Sequence, residues 1–312
     1  MYTEYLPRVR ENVPLKNYTT FQIGGAARYF FVAKTKEDIQ QALQAAKKFR
    51  LPIFILAGGS NLLISERGFS GLVIKIENCK LKIENLQVYA EAGVDLPLLV
   101  KETGKLGLAG LEWAGGLPGS VGGAVRGNAG AFKGEIKDVI EEVEAIDEEG
   151  NTRIFTREQC EFSYRSSVFK QKNMIVVSAR FHLAKGDKRM IQRIAREHIT
   201  YRQERHPLEY PNAGSIFKNC DLEIFSAKMK EDMKDVVKVD PFPVVPTAYL
   251  IASAELKGMR VGDAEVSEKH PNYIVNRGNA SSQNVITLIK QVKERIREKF
   301  GIELEEEITI LL

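Results

Sequence analysis

Between Ala114 and Glu135 the chain reads AGGLPGSVGGAVRGNAGAFKGE, eight glycines in 22 residues. No regular element tolerates that density well, because glycine loses more backbone freedom on ordering than any other residue. Such a stretch offers instead backbone N–H groups that can close on an anion with no Cβ in the way. A smaller stretch of the same kind, AGGSN at Ala57 to Asn61, follows the strand-like IFIL, and Ser60 and Asn61 add side-chain donors. One glycine loop is an ordinary turn. Two, about fifty residues apart and both flanked by strand-like runs, fit a dinucleotide cradle at least as well. Neither is a GxGxxG opening a helix and no GxxxxGK[ST] occurs, which disfavours a Rossmann nicotinamide site and a P-loop.

Around these loops, 312 residues are too many for one ordinary core, so two or three domains are expected. TKEDIQQALQAAKKFR predicts a helix, with Thr35 as N-cap, Asp38 three residues on and Ile39, Ala42, Leu43 and Ala46 along one face. With IFIL and GLVIKI it makes a small α/β region, 1–76. KLKIEN, LQVYAEAGV, EEVEAIDEEGNTRIFT and NMIVVSARFHLA read as strands, EEGN as a hairpin turn and LPLLVKETGKLG as a helix, giving an α+β region over 77–205 that ends in a long helix. The third region, 206–312, closes with a helix striped by Val285, Ile289, Val292, Ile296 and Phe300, stopped by Gly301, and then IELEEEITILL, which alternates as one strand.

Composition narrows the partners. With 44% hydrophobic and 28% charged residues the chain is that of an ordinary globular protein, and its net charge of +4 is interleaved rather than blocked, which gives nucleic-acid binding little support. MYTEYLPRVR carries charges where a signal peptide would be apolar, and PFPVVPTAYLIASA is proline-broken and short of a membrane span. Cys79, Cys160 and Cys220 are odd in number and widely spaced, which fits a reducing cytoplasm and neither a disulfide framework nor a thiolate zinc site. His182, His198, His206 and His270 form no HExxH, and no GxSxG occurs.

Individual residues stay open at this level. Ser215 in EYPNAGSIFKN is either a turn residue or a placed hydroxyl. Arg165 in FSYRSSVF is either a surface arginine or a fork for a carboxylate, with even support for both. Lys218, Asn219 and Lys257 are, singly, ordinary solvated residues. Of the acids in LEEEI, Glu305 and Glu307 share a face if the segment is extended, with Glu306 pointing away.

Taken together and in this order, AGGSNLLI, GLPGSVGGAVRGNAGAF, YRSS, NAGSIFKN, VSEKH with PNYIVN, and LEEEI resemble the UDP-N-acetylenolpyruvoylglucosamine reductases over nearly the whole length, in their shorter form. The resemblance implies an α+β chain, with the two-domain FAD-binding fold of vanillyl-alcohol-oxidase-type enzymes followed by a C-terminal α+β substrate domain. It implies a flavoenzyme of peptidoglycan precursor synthesis that consumes NADPH and reduces the enolpyruvyl ether of a UDP sugar to a lactyl ether. FAD would lie non-covalently against Gly58, Gly59, Ser60, Asn61 and Leu62 of the first loop. From the second loop it would meet Gly116, Pro118, Gly119, Ser120, Gly122, Gly123, Asn128 and Gly130. Lys218, Asn219, Lys257 and His270 fall on substrate-binding positions, and a cytoplasmic monomer is expected.

Three residues take catalytic roles on the same resemblance. Reduction at the terminal alkene carbon pushes charge onto the adjacent carbon and its carboxylate. Arg165 matches the arginine that stabilises this charge, Glu307 a carboxyl that works protonated, and Ser215 the proton donor to carbon. Two departures stand out. Glu306 replaces the proline usual between the two acids, so Glu305 is the alternative to Glu307, which holds the position after that proline. The segment 220–254 is longer than usual for the family, and a lid and a surface elaboration both fit it. A flavin oxidase built on the first two regions, and a catalytically silent nucleotide-sugar binder, are the competing readings; Ser215, Arg165 and an aligned acid count against the second.

Overall fold

The computed structural model describes residues 5–239 and 242–312. The amino-terminal stretch is thus described only from Tyr5, and Asp240 and Pro241, the residues on either side of the start of the PFPVV run, lie outside the described residues. The chain packs as two compact units. Of the described residues, 5–13, 27–58 and 69–202 form the first, and 14–26, 59–68, 203–239 and 242–312 the second. The first two regions read from sequence therefore pack as one unit. The short runs 14–26 and 59–68 go with the C-terminal residues.

In the first unit, strands Ala26–Ala33 and Ile53–Leu56 both run parallel to Phe69–Ile76. The helix Lys36–Phe49 is the crossover between them, the connection that parallel pairing requires. Its start is the expected one: the Thr35 hydroxyl accepts from the Asp38 amide, and the Asp38 carboxylate accepts from the Thr35 amide. Such a cap contributes about 1 kcal/mol. Ile39, Ala42, Leu43 and Ala46 are buried, and Arg50 ends the helix in the left-handed region with φ +51°.

A five-stranded antiparallel sheet completes the unit, in the order Thr152–Thr156, Ile140–Ile146, Ile175–His182, Gln87–Glu91, Leu81–Glu84. The second glycine stretch is not wholly loop. It contains the helix Val121–Arg126, N-capped by Ser120, whose hydroxyl accepts from the Gly123 amide at 3.3 Å.

In the second unit the sheet order is Asn212–Ser215, Tyr273–Asn276, Ala264–Val266, Arg260–Val261. The helix Ser282–Phe300 buries Val285, Leu288, Ile289, Val292 and Ile296 in this unit's core, each worth about 1.5–3 kcal/mol against exposure. Gly301 ends it at φ +69°.

One expectation is corrected here. IELEEEITILL is not one strand. Glu306 forms a bridge with Phe217, and Thr309–Leu311 pairs in parallel with Leu62–Ile64. Of the segment 220–254, Phe225, Met233, Val245, Leu250 and Ile251 are in the core of the second unit, while most of 221–239 is exposed.

Candidate active site

The two glycine loops meet inside the first unit. A Cβ added at Gly58 would lie 2.7 Å from the Gly119 Cα, so only hydrogen at that position permits the approach, and Gly119 itself sits at φ +118°. Among the described residues, none accepts a hydrogen bond from the amides of Gly58, Gly116 or Gly119. Bare amides beside a close backbone approach suit an anionic group, which is the fit a flavin diphosphate requires. Beneath the first loop the Lys75 ammonium donates to the Ala57 carbonyl at 2.7 Å, and burial lowers its pKa. Lysine in the middle of GLVIKI gives no sequence signal of this role.

Asn128 and Gly130 occupy a different environment. Asn128 is fully buried at φ +42°, and its amide donates to the Glu135 carboxylate (3.4 Å) and the Ser163 carbonyl (3.1 Å) while accepting from the Lys137 amide (3.1 Å). Glu135 is also ion-paired with Lys137 at 2.5 Å. The Asn128 side chain is thus engaged with protein, and what it secures is the segment bearing Arg165.

That segment is a tight turn. Ser163 and Ser166 exchange two backbone hydrogen bonds of 3.1 Å, with Tyr164 and Arg165 at the tip. Arg165 has φ +55°, in the left-handed region that costs a non-glycine residue roughly 1–2 kcal/mol. Its carbonyl accepts from the Lys170 ammonium (3.0 Å), and its guanidinium lies 5.2 Å from the Tyr164 ring centroid.

Ser215 and Glu307 belong to the second unit, where backbone pairing brings their segments together. The Glu307 amide donates to the carbonyl of Ile216, the residue after Ser215, at 2.7 Å, and the Lys218 amide donates to Glu305 at 2.9 Å. Gly214, at φ +78° with open space where a Cβ would be, sets the turn into Ser215 through its backbone conformation alone. Buried Asn272 then clamps the serine segment: its carbonyl accepts from Ile216, and its side-chain amide both accepts from the Phe217 amide and donates to the Phe217 carbonyl. The asparagines of PNYIVN were visible in sequence, but this clamp was not. From the first loop, Asn61 donates to the Glu307 carbonyl at 3.0 Å, and Leu62 is a buried strand residue opposite Thr309.

Glu305 pairs with Lys218 and Glu306 with Lys293 at 2.9 Å. Asn219 accepts from the Thr247 amide at 3.2 Å, which ties the residue after Lys218 to the helix Thr247–Ser253. Lys257 is exposed after that helix. His270 packs against the rings of His206 (5.1 Å) and Tyr273 (4.8 Å), and the Tyr273 hydroxyl is hydrogen-bonded to His206 at 2.9 Å. Burial, with the Lys238 charge adding to it, pushes the His270 pKa down to about 4.

Burial raises the thiol pKa of Cys160 to about 12 and raises that of Cys220, so neither is a nucleophile. No helix among the described residues is long and apolar enough to cross a membrane.

Known proteins carry the same pattern. Residues 27–156 match the FAD binding domain family, and residues 206–311 match the C-terminal domain of UDP-N-acetylenolpyruvoylglucosamine reductase. The enzyme of that name from Clostridium novyi is 38% identical over 304 residues, covering 97% of this chain and 92% of its own. The one from Carboxydothermus hydrogenoformans is 39% identical over 306 residues, covering 97% and 94%. The crystal structure of UDP-N-acetylenolpyruvylglucosamine reductase from Thermus caldophilus superposes with a TM-score of 0.76 at 33% identity, over 97% of this chain and 100% of that one. At these identities over nearly the full length, the chain belongs to the UDP-N-acetylenolpyruvoylglucosamine reductase family.

Proposed function

We propose that the chain reduces UDP-N-acetylglucosamine enolpyruvate to UDP-N-acetylmuramate, in peptidoglycan precursor synthesis, with Ser215, Arg165 and Glu307 as its catalytic residues. It is a flavin-dependent oxidoreductase. Bound FAD, recharged by NADPH, supplies the hydride equivalent. Gly58, Gly116 and Gly119 present their amides to the diphosphate. Lys218, Asn219, Lys257 and His270 take the UDP sugar, with the regions 1–76 and 77–205 serving the flavin and 206–312 the substrate. The free thiols fit work in a reducing cytoplasm.

The protein's own part is to handle charge and one proton. As negative charge builds on the substrate carboxylate and the adjoining carbon, the Arg165 guanidinium and a protonated Glu307 share it. Ser215 passes its hydroxyl proton to that carbon and regains one from solvent. A hydroxyl is a weak acid, but an enolate carbon in a water-poor site is basic enough to take its proton. The observation that carries this reading is the backbone ladder that sets Glu307 beside the Ser215 segment.

The test is to reduce the FAD-loaded protein anaerobically with NADPH and then add the enolpyruvyl UDP sugar. Flavin reoxidation with formation of the lactyl ether is expected. Reoxidation by oxygen alone, with no response to the sugar, overturns the assignment.

A further inference from the structure

We propose that Thr20 and Asn61 are positioning residues, forming a hydrogen-bonded strut that fixes the Ser215 and Glu307 segments to the first glycine loop. Sequence shows nothing of this: NYTTFQIGG has no clear period, and Asn61 reads there as a phosphate donor. In the second unit, the Thr20 amide donates to the Gly59 carbonyl at 3.1 Å, and its hydroxyl donates to the Asn212 carbonyl at 2.7 Å. The Asn212 amide returns a bond to the Thr20 carbonyl at 3.2 Å. Asn212 in turn shapes the serine turn, its side chain accepting from the Gly214 amide at 2.9 Å.

On the other side of the loop, Asn61 donates its side-chain amide to the Glu307 carbonyl (3.0 Å) and accepts at its own carbonyl from Thr309 (3.0 Å). The Glu307 amide, bonded to Ile216, closes the circuit. From Gly59 through Thr20, Asn212, Ser215, Ile216, Glu307 and Asn61 back to Gly59, every joint is a hydrogen bond or a few covalent residues. Both side chains are on exposed residues and anchor no core. What they hold is the mutual placement of a proton donor and an acid relative to a phosphate-binding turn, and displacements on the order of 1 Å in such geometry cost about 10²-fold in rate.

This inference rests on the roles proposed for Ser215 and Glu307, and the experiment separates the two. Thr20→Val, Thr20→Ser and Asn61→Ala are compared with the unaltered protein. In FAD-free protein, hydrogen exchange is followed at residues 214–217 and 305–309. Exchange about tenfold faster is expected in Thr20→Val at the first segment and in Asn61→Ala at the second, the equilibrium worth of one lost hydrogen bond, with Thr20→Ser unchanged. In FAD-loaded Thr20→Val, bleaching by NADPH should stay within about twofold while reoxidation by the enolpyruvyl UDP sugar slows by about 10–100-fold, with Thr20→Ser restored. Unchanged exchange at both segments overturns the strut, and so does equal slowing of bleaching and reoxidation in Thr20→Val. If the unaltered protein itself ignores the sugar, the catalytic assignment falls, and the exchange result still decides whether the strut exists.

Discussion

Arg165 and Ser215 are held in place by opposite means. Around Arg165 the first unit uses a buried polar network, Asn128 with Glu135, Lys137 and the Ser163 carbonyl, to impose a left-handed backbone on a bulky residue. Around Ser215 the second unit uses a backbone ladder to Ile216 and Glu307, braced by Asn272, with the positive φ left to Gly214. Strain is therefore concentrated at the arginine, where a network over-determines it, and is absent from the serine. Backbone strain persists only under such constraint and gathers at functional positions. The difference teaches that the arginine's geometry depends on buried side chains distant in sequence, whereas the serine's depends on strand pairing.

The strongest attack on this contrast is at the serine. Ser215→Ala is expected to lower product formation by about 10²–10⁴-fold, the usual worth of a placed proton donor, while NADPH bleaching and the urea midpoint hold. Loss of bleaching in stopped-flow absorbance would show the serine to be structural and erase the contrast. Acid should then find the second unit's weak point. His270, facing His206, Tyr273 and the Lys238 charge, stays neutral in the fold down to about pH 4 but takes up a proton near 6.5 when unfolded. The unfolded state thus binds more protons between these values. Stability is full above pH 6.5 and falls as pH drops toward 4, by at most about 3 kcal/mol. Urea unfolding at pH 7 and 4.5 should show this slope flattened in His270→Gln.

Asn128→Ala removes three hydrogen bonds and leaves buried partners behind, so a loss of about 2–3 kcal/mol is expected in urea unfolding. A loss below about 0.5 kcal/mol, within the range of a surface change, would mean that the network does not over-determine the turn. The smallest effect sharpens the comparison most. Arg165→Gly should change stability by no more than about 1 kcal/mol, because relief of the left-handed strain offsets glycine's added chain entropy, yet turnover should collapse. Destabilisation well beyond that would show that the turn draws its stability from the guanidinium and not from Asn128.

Sequence legibility followed the same divide. The helices Lys36–Phe49 and Ser282–Phe300 were readable because cap, stripe and stop lie within one stretch of chain. The glycine loops were readable because composition alone marks them. IELEEEITILL misled because alternation tells which residues share a face but not which strand they pair with, and its two halves find different partners, Phe217 and Leu62–Ile64. Asn272, Lys75 and Thr20 were invisible for a related reason: each acts on a backbone group distant in sequence, which leaves no pattern in the side chains nearby. Membership of 14–26 and 59–68 in the second unit was hidden in the same way.

Phe225, Met233 and Val245 are seated among the apolar residues of the second unit. Excising the stretch that carries them would empty part of that core, and cutting Phe225 alone back to alanine would leave a cavity costing about 3–5 kcal/mol.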